Sequence, residues 1–442
     1  MTKKIILLSL AASVSLFAQS ELEEVKALLE QQIKTTQALQ KRVAELEKKQ
    51  QHTVTHAARK SKTLKHHKHQ VSKPKPIKEE DTYTTAENTM PSEQHTQTFD
   101  QKSFLPDIAL ILNGSAVGRN VNNSTYETQY IPGFSTYNAA NPNEIPFNKD
   151  RGFNFNYAEI SMHSTVGPYF DADAIFHLHP DEFEIEEAYI TSRNMPYGLR
   201  AKAGKFRSEF GRINAIHQHA WKFTSQPLVF NALFGPEGIN DAGVQLQWVL
   251  PTETYVMAGI EAMQGSNDVS FGDTEKNNLY IGYLKSSFDI SDTSTLLAGA
   301  SILHGKNEQG LNTDVYGADL TALIALSSYS SLTWQSELLY RNADNQEDQA
   351  GYYTQLTYKY NQNWQGGVRY DSLYKNRDSQ PDDLDRFSAV LQYSPFEFTK
   401  FRLEYSYDRS KAFGDLADQR KNISQILLDF TIEAGAHGAH AF

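Results

Sequence analysis

From Phe104 onward the chain alternates apolar residues with polar or charged ones at a period of two, in one segment after another. In "KFRLEYSYDRS", apolar side chains from Phe401 to Tyr407 alternate with polar ones from Arg402 to Asp408. This period places successive side chains on opposite faces of a β-strand. A soluble β-sandwich also alternates, but its strands do not pair an apolar face with so many charged side chains over ten residues. The pattern therefore predicts an all-β protein, a transmembrane antiparallel β-barrel with its apolar face outside.

We predict sixteen strands for this barrel, with fourteen or eighteen as the nearest alternatives. Single-chain bacterial barrels have an even number of strands, which favours these counts. Segments 118–152 and 209–241 are too long for turns, so we expect them outside the barrel or folded into its lumen. The predicted strands span residues 104–117, 153–166, 168–179, 184–194, 199–208, 242–250, 253–264, 277–289, 293–305, 313–326, 331–342, 351–361, 364–375, 385–395, 397–409 and 422–434.

The two ends of the sequence predict export to the outer membrane of a Gram-negative cell. Residues 1–18 are typical of a secretory signal peptide, with basic Lys3 and Lys4 before an apolar core that is too short to span a bilayer. The terminal Phe442 is typical of outer-membrane barrels, whose last strand is recognised by the β-barrel assembly machinery. We therefore expect outer-membrane lipids and this machinery as partners. The chain has no cysteine, which excludes disulfides and thiolate chemistry.

Residues 19–50 predict a helical coiled coil in the periplasm. With Leu22 at heptad position a, six of the eight seam positions are apolar, and Gln32 and Thr36 are the polar exceptions. Such a seam indicates a homo-oligomer, and we expect a trimer, as in porins. The alternative is a single solvated helix.

Residues 51–103 predict a disordered periplasmic linker that is rich in His and Lys. Its cations suit contact with anionic peptidoglycan. The alternative is metal capture by His66, His67 and His69, because neutral imidazole is a common ligand of zinc, nickel and copper. The two interpretations are compatible.

Histidine pairs in the barrel region are candidate metal ligands. Residues two apart on a strand share a face, so paired imidazoles could hold one ion, and mixed His/Asp sets suit zinc. Asp173 lies on the predicted lumen face behind His177 and His179. The alternative is ordinary polar lining of the lumen; we expect no required cofactor and transient zinc at most. The pairs are His177 with His179, His217 with His219, and His437 with His440.

Several ordered motifs carry a family resemblance across the barrel region. Residues 186–244 and the tail resemble zinc-regulated TonB-dependent outer-membrane receptors, which are also described simply as porins. This resemblance implies an outer-membrane location and a link to metal supply. Residues 104–442 are too few for a 22-strand TonB-dependent barrel with its plug, so the architecture is more similar to plug-less siderophore porins. The motifs are "EEAY" (186–189), "AGKFRSEFGRIN" (203–214), "HQHA" (217–220), "QPLV" (226–229), "GPEGINDAGV" (235–244) and "HGAH" (437–440).

The predicted function is an outer-membrane channel or receptor that passes a small solute, such as zinc or a metal complex. The alternative is a structural tether from the outer membrane to the cell wall, with a non-conducting barrel. An enzyme is not expected, because the chain lacks the G-x-S-x-G, H-E-x-x-H and P-loop motifs. The net charge of −11 argues against a nucleic-acid partner.

Overall fold

The computed structural model describes Lys41 and residues 106–135, 145, 147–180, 182–272, 278–307, 309–344, 347–375, 384–414 and 420–435. The chain divides into two units, Met1–Glu93 and Gln94–Phe442, and the barrel lies in the second. The predicted signal peptide, coiled coil and linker lie outside the described residues, apart from Lys41, which is helical and exposed. The candidate ligands His66, His67, His69, His437 and His440 also lie outside them.

Sixteen antiparallel strands close into a barrel, and two short strands pair with each other outside it. The closed order runs from β1 through β18 and β16 down to β3, so β1 joins β18 on one side and β3 on the other. The predicted barrel with sixteen strands is confirmed. The strands are β1 (Asp107–Arg119), β2 (Gln129–Tyr130), β3 (Gly152–Val166), β4 (Phe170–Leu178), β5 (Phe183–Ser192), β6 (Leu199–Arg207), β7 (Asn240–Val249), β8 (Tyr255–Met263), β9 (Leu279–Ser291), β10 (Ser294–Lys306), β11 (Asn312–Ala325), β12 (Ser331–Ala343), β13 (Gln349–Lys359), β14 (Trp364–Lys375), β15 (Leu384–Tyr393), β16 (Thr399–Asp408), β17 (Ala412–Phe413) and β18 (Ile423–Gly435).

The barrel wall is apolar outside and polar inside, as the alternation predicts. On β18 the apolar residues from Ile426 to Ile432 are exposed, whereas Asp429 and Thr431 are fully buried. Exposed aromatic side chains border the barrel at both ends, as expected of residues at the two membrane–water interfaces. At one end they include Tyr169, Phe170, Tyr197, Trp248, Tyr255, Tyr329, Trp334, Tyr360, Trp364, Tyr393, Phe396 and Phe398, and at the other end Phe153, Phe183, Tyr280, Tyr316, Tyr340, Tyr374 and Phe387.

The connections between strands are all short at the end that carries Tyr169 and Tyr197, and the long connections all lie at the other end. Only two residues link β9 to β10, whereas residues 120–151 link β1 to β3 and residues 208–239 link β6 to β7. Outer-membrane barrels have short periplasmic turns and longer extracellular loops. The short-turn end therefore corresponds to the periplasmic side. No helix within the described residues is long and apolar enough to cross a membrane.

Residues 208–239, which we call the insert, fold into the lumen instead of extending outward. Asn214 closes the neck of the insert: its side-chain amide donates to the carbonyls of Ser208 and Ile239 at 2.8 and 3.0 Å. The insert contains a 3-10 helix, Gln218–Ala220, and helix α2, Leu228–Phe234. Pro227 precedes α2, and Gly235 ends it at a φ of 72°, a conformation that glycine adopts without strain. The short helix α1 (Asn123–Tyr126) lies in the other long connection.

One side of the insert packs on the barrel wall through apolar side chains. Val229, Phe230, Leu233 and Phe234 are almost completely buried, together with inward residues of β8 to β15. The sequence led us to expect a barrel without a plug. The described residues form no separate plug domain, but the insert fills part of the lumen, because its apolar face can be buried only against the wall. The wall residues are Met257, Met263, Leu279, Ile281, Tyr283, Leu303, Val315, Leu339, Tyr353, Leu373 and Leu384.

The other side of the insert binds the wall through polar and charged groups. Glu404 on β16 accepts hydrogen bonds from the backbone N–H of Thr224 and from the hydroxyl of Ser225, at 2.7 and 2.5 Å. Arg402 donates to the carbonyl of Trp221 at 2.9 Å. These wall side chains supply partners for insert backbone groups that are buried without secondary structure of their own.

Candidate functional site

The site begins with a cross-strand pair in the wall and a bulge beside it. Glu159 on β3 lies opposite His177 on β4, and both side chains are buried. The register of β4 with β5 shifts between Ile175 and Phe176. A β-bulge sets two residues of one strand against one of its partner, which breaks the alternation. As a result Glu186 and Glu187 are both buried, although they are consecutive.

The insert brings two more histidines to these wall residues. The Nδ1 atom of His219 lies 3.3 Å from Oε2 of Glu159. The Nδ1 atom of His217 lies 3.5 Å from Oε2 of Glu186 and 3.8 Å from Oε2 of Glu159. In the wall, Nε2 of His177 lies 2.5 Å from Oε2 of Glu186 and 3.2 Å from Oε2 of Glu159. Three imidazole nitrogens and two carboxylate oxygens therefore converge; we call these five residues the His/Glu cluster.

A second set of residues orients the cluster from outside. The far nitrogen of His217, Nε2, donates to Oε1 of Glu187 at 2.7 Å. Arg207 donates to Oε1 of Glu186 through Nε at 2.9 Å, and through Nη1 to the carbonyl of Glu237 at 2.8 Å. These contacts fix the His217 ring and the Glu186 carboxylate so that the other polar atom of each points to the cluster centre.

The two histidines of the insert have opposite electrostatic environments. Burial disfavours the charged imidazole of His217, but Glu186 and Glu187 outweigh it and raise the pKa of His217 well above 6.5. Burial lowers the pKa of His219, and the bond to Glu159 does not compensate.

Two of the predicted ligands direct their polar atoms to partners outside the cluster, although the His179 ring lies 5.8 Å from that of His177. His179 directs Nδ1 to the carbonyl of Asn156 at 2.9 Å, because β4 ends at Leu178 and the chain turns away. Asp173 shares the inward face but pairs with His163 at 2.7 Å, a solvent-exposed pair nearer the short turns. The expectation that Asp173 supports a His177–His179 pair is therefore wrong.

The structure brings His217 and His219 together within the long connection that the sequence predicts for residues 209–241. They flank the start of a 3-10 helix, and their rings lie 5.7 Å apart. As candidate ligands, the sequence analysis missed Glu159 and Glu186 and the supporting Glu187. The available signal was the doubled glutamate in "EIEEAY", where two consecutive carboxylates break an alternating strand.

A cavity of about 600 Å³ lies between the insert, the connection between β1 and β3, and the wall near β16 and β18. Much of its polar lining carries neutral amides and hydroxyls. The charged lining residues are Arg386, Lys411, Asp408, Glu237, Asp241 and Asp268. The cavity is large enough for a small polar solute. Its polar lining includes Gln129, Asn148, Gln218, Thr224, Ser225, Gln226, Asn231, Asn240 and Gln425.

Comparison with known proteins supports this fold and gives one close sequence relative. No protein-family model matches the chain. An uncharacterized protein of Aquifex aeolicus (strain VF5) is 37% identical over 388 residues, which cover 78% of this chain and 81% of that protein. Among solved structures, an anion-selective porin from Comamonas acidovorans has a TM-score of 0.50 at 10% identity, over 74% of this chain and 99% of that one. At that identity the likeness shows the fold alone, a porin-like barrel.

Proposed function

The chain belongs to one family with the Aquifex aeolicus protein, and we propose that it is an outer-membrane channel for small polar solutes. The observation that carries the proposal is the closed, porin-like barrel with an exposed apolar outer face and a polar interior. Only a closed barrel lets β-strands cross lipid with every backbone hydrogen bond satisfied. A polar lumen through such a wall is a route for solutes that lipid excludes.

The insert sets the size of solute that this channel admits. It crosses the lumen, bound to β12 and β14 on one side and to β16 on the other. Asp371 on β14 accepts the backbone N–H of Leu228 at 2.8 Å, and Glu337 on β12 accepts that of Ile213 at 3.0 Å. The path beside such a rigid segment is narrow, so we expect passage of small solutes and exclusion of large ones.

A finer form of the proposal is that the solute is zinc or a metal complex. Two observations support it: the sequence resemblance to zinc-regulated receptors, and the lumen-side imidazole and carboxylate groups, which are ligands for first-row transition metals. We do not extend the proposal to TonB-driven transport. The described residues account for a barrel with an insert and include no plug domain on which such a drive would act.

The remaining parts of the chain complete the proposal. Residues 19–50 would form a trimeric coiled coil in the periplasm, and residues 51–103 a linker in contact with peptidoglycan. Outer-membrane lipids and the β-barrel assembly machinery would be the other partners. Replacement of Leu29 and Leu39 by Asp should convert a trimer to monomers without unfolding the barrel, because both leucines lie on the heptad seam. Mass measurement by light scattering in detergent tests this; an unchanged mass would show that the seam does not hold the oligomer.

Single-channel recording tests the channel proposal. The full chain, folded in detergent and checked for a β-rich circular-dichroism spectrum, would be inserted into planar bilayers. We expect discrete conductance steps, and in liposome-swelling assays a rate that falls steeply with solute size. Steps that are absent from correctly folded protein would contradict the channel and favour the tether. The metal form is tested separately by swelling or uptake assays with zinc salts; a zinc rate equal to that of calcium would contradict it.

A further inference from the structure

We propose that the His/Glu cluster is a resident binding site for one divalent transition-metal ion, which fastens the insert to the β3–β5 wall. The ligands would be Glu159, His177 and Glu186 from the wall with His217 and His219 from the insert. An ion bound here would be a resident ion and not a solute passing through the channel, because all five side chains are more than nine-tenths buried. The inference does not depend on what the channel passes.

The spacing of the converging atoms supports a metal site. An ion with bonds of about 2.1 Å holds its ligand atoms about 3.0–3.4 Å apart. The five nitrogen–oxygen distances in the cluster range from 2.5 to 3.8 Å, and three of them lie between 3.2 and 3.5 Å. The ligand atoms form two groups of three that share Glu159, one with His217 and His219 and one with His177 and Glu186, and within each group the atoms lie within 4.8 Å of one another. The atoms come from three strands and the insert, so a chance cluster along one element is excluded.

The buried carboxylates of the site need two further positive charges to be neutralised. Among the buried groups, Glu159, Glu186 and Glu187 carry three negative charges, and Arg207, which also pairs with the more exposed Glu237 at 3.6 Å, supplies one positive charge when the imidazoles are neutral. A buried charge is costly unless it is compensated. One divalent ion supplies the two missing charges, and two protons shared among the three histidines would supply them as well. The site is therefore either metal-bound or doubly protonated, and the metal content of the protein distinguishes the two states.

The surrounding contacts favour the ion. Metal-bound histidines typically donate their second N–H to a carboxylate, which fixes the tautomer and strengthens the ligand. His217 does this with Glu187, and it presents Nδ1 to the centre. Arg207 holds the second oxygen of Glu186 in the same way. Three imidazoles with two carboxylates suit zinc and its first-row neighbours better than magnesium or calcium, which prefer all-oxygen sites.

Metal content of the full chain tests the proposal. Protein stripped with a chelator would be loaded with Zn²⁺, dialysed and analysed by mass spectrometry, in a background with His66, His67, His69, His437 and His440 replaced by Ala. We expect about one tightly held zinc per chain, and an X-ray absorption spectrum with mixed nitrogen and oxygen ligands at about 2.0–2.2 Å. This spectrum requires no further variant and so does not depend on how variants fold.

Variants then assign the residues. Glu159→Gln with His219→Gln should lower zinc affinity by more than about 100-fold, and Glu187→Gln, a positioning change, by about 10–100-fold. The matched control is His163→Gln, which breaks the His163–Asp173 pair on the same two strands and should leave zinc affinity unchanged. Zinc that is lost on dialysis from the unaltered site, or retained equally by the double variant, would overturn the proposal in favour of the protonated network. Conductance plays no part in this readout, so failure here leaves the channel proposal standing.

Discussion

The two sides of the insert are held to the barrel in different ways. Toward β8–β15 it is held mainly by aliphatic and aromatic side chains in one continuous cluster, although Glu337 on β12 and Asp371 on β14 also accept backbone N–H groups of the insert. Toward β3–β5 and β16 it is held by carboxylates, guanidinium groups and imidazoles, many of them fully buried. An apolar interface tolerates changes of shape that conserve volume, whereas a buried ionic interface depends on each group keeping its partner. We call these the apolar side and the ionic side.

This difference assigns separate tasks to the two sides. Apolar packing is non-directional and can hold the insert in place, but it offers nothing to a polar solute or an ion. The ionic side costs free energy to bury and is stabilising only when complete. Its ligand atoms are then fixed in position, which is what binding requires. The predictions below perturb each side in turn.

The largest effect is expected on the apolar side. Phe230 is buried on α2 and contacts Phe234 within the cluster. Phe230→Ala removes a large side chain and leaves a cavity, so docking of the insert should weaken by about 3–5 kcal/mol. In a background with Trp248, Trp334 and Trp364 replaced by Phe, Trp221 fluorescence during urea unfolding reports the insert, and circular dichroism reports the barrel. Phe396→Ala, on an exposed turn, is the control and should leave the Trp221 transition unchanged; an equal shift in both variants would contradict the packing account.

A smaller effect is expected on the ionic side. Glu404→Gln keeps the shape of the side chain but weakens the charge-assisted hydrogen bonds to Thr224 and Ser225. Docking should weaken by about 1.5–3 kcal/mol, as is usual for hydrogen bonds to charged groups. The same Trp221 measurement applies, with Glu397→Gln on an exposed turn as the control. A loss as large as that of Phe230→Ala would remove the distinction between the two sides.

The smallest effect concerns Lys411, a half-buried lysine in the lining of the cavity. Burial lowers the pKa of Lys411 from 10.5 to about 8, and Asp408 opposes this only in part. Between pH 8 and 10.5 the unfolded chain therefore binds more protons than the folded one, so stability rises with pH in that window. After allowance for partial exposure we expect a gain of about 1 kcal/mol. Unfolding midpoints at pH 7.5 and 10 measure this gain, and Lys411→Met should abolish the difference between the two pH values. A stability that falls from pH 7.5 to 10 more in the unaltered protein than in Lys411→Met would contradict the assignment.

Much of the barrel was predictable because each strand is identified by the alternation of apolar and polar residues within its own segment. A strand in lipid must alternate, so segments such as 397–409 were found from sequence with bounds a few residues from those of β16. The position of the insert was not predictable in the same way. Its apolar residues, such as Val229 and Leu233, indicate burial but not the surface that buries them.

The His/Glu cluster shows the same limit more sharply. Pairs such as His217 and His219 were recognisable by spacing, and the structure places both at one centre. Glu159 could not be assigned, because its partners come from the neighbouring strands and from a segment some sixty residues away. The bulge that turns Glu186 and Glu187 inward together depends on strand register. Register is set by the whole sheet and not by any short pattern.

The most direct test of the account compares single-channel conductance with and without the insert. Arg207 and Asn240 are cross-strand partners at the ends of β6 and β7, so a short turn such as Asn-Gly could replace residues 208–239 and leave the barrel closed. We predict small, discrete conductance steps for the full chain and steps several-fold larger for the replaced variant. Equal conductance in the two proteins, or silence in both after correct folding, would contradict the claim that this barrel is a channel narrowed by its insert.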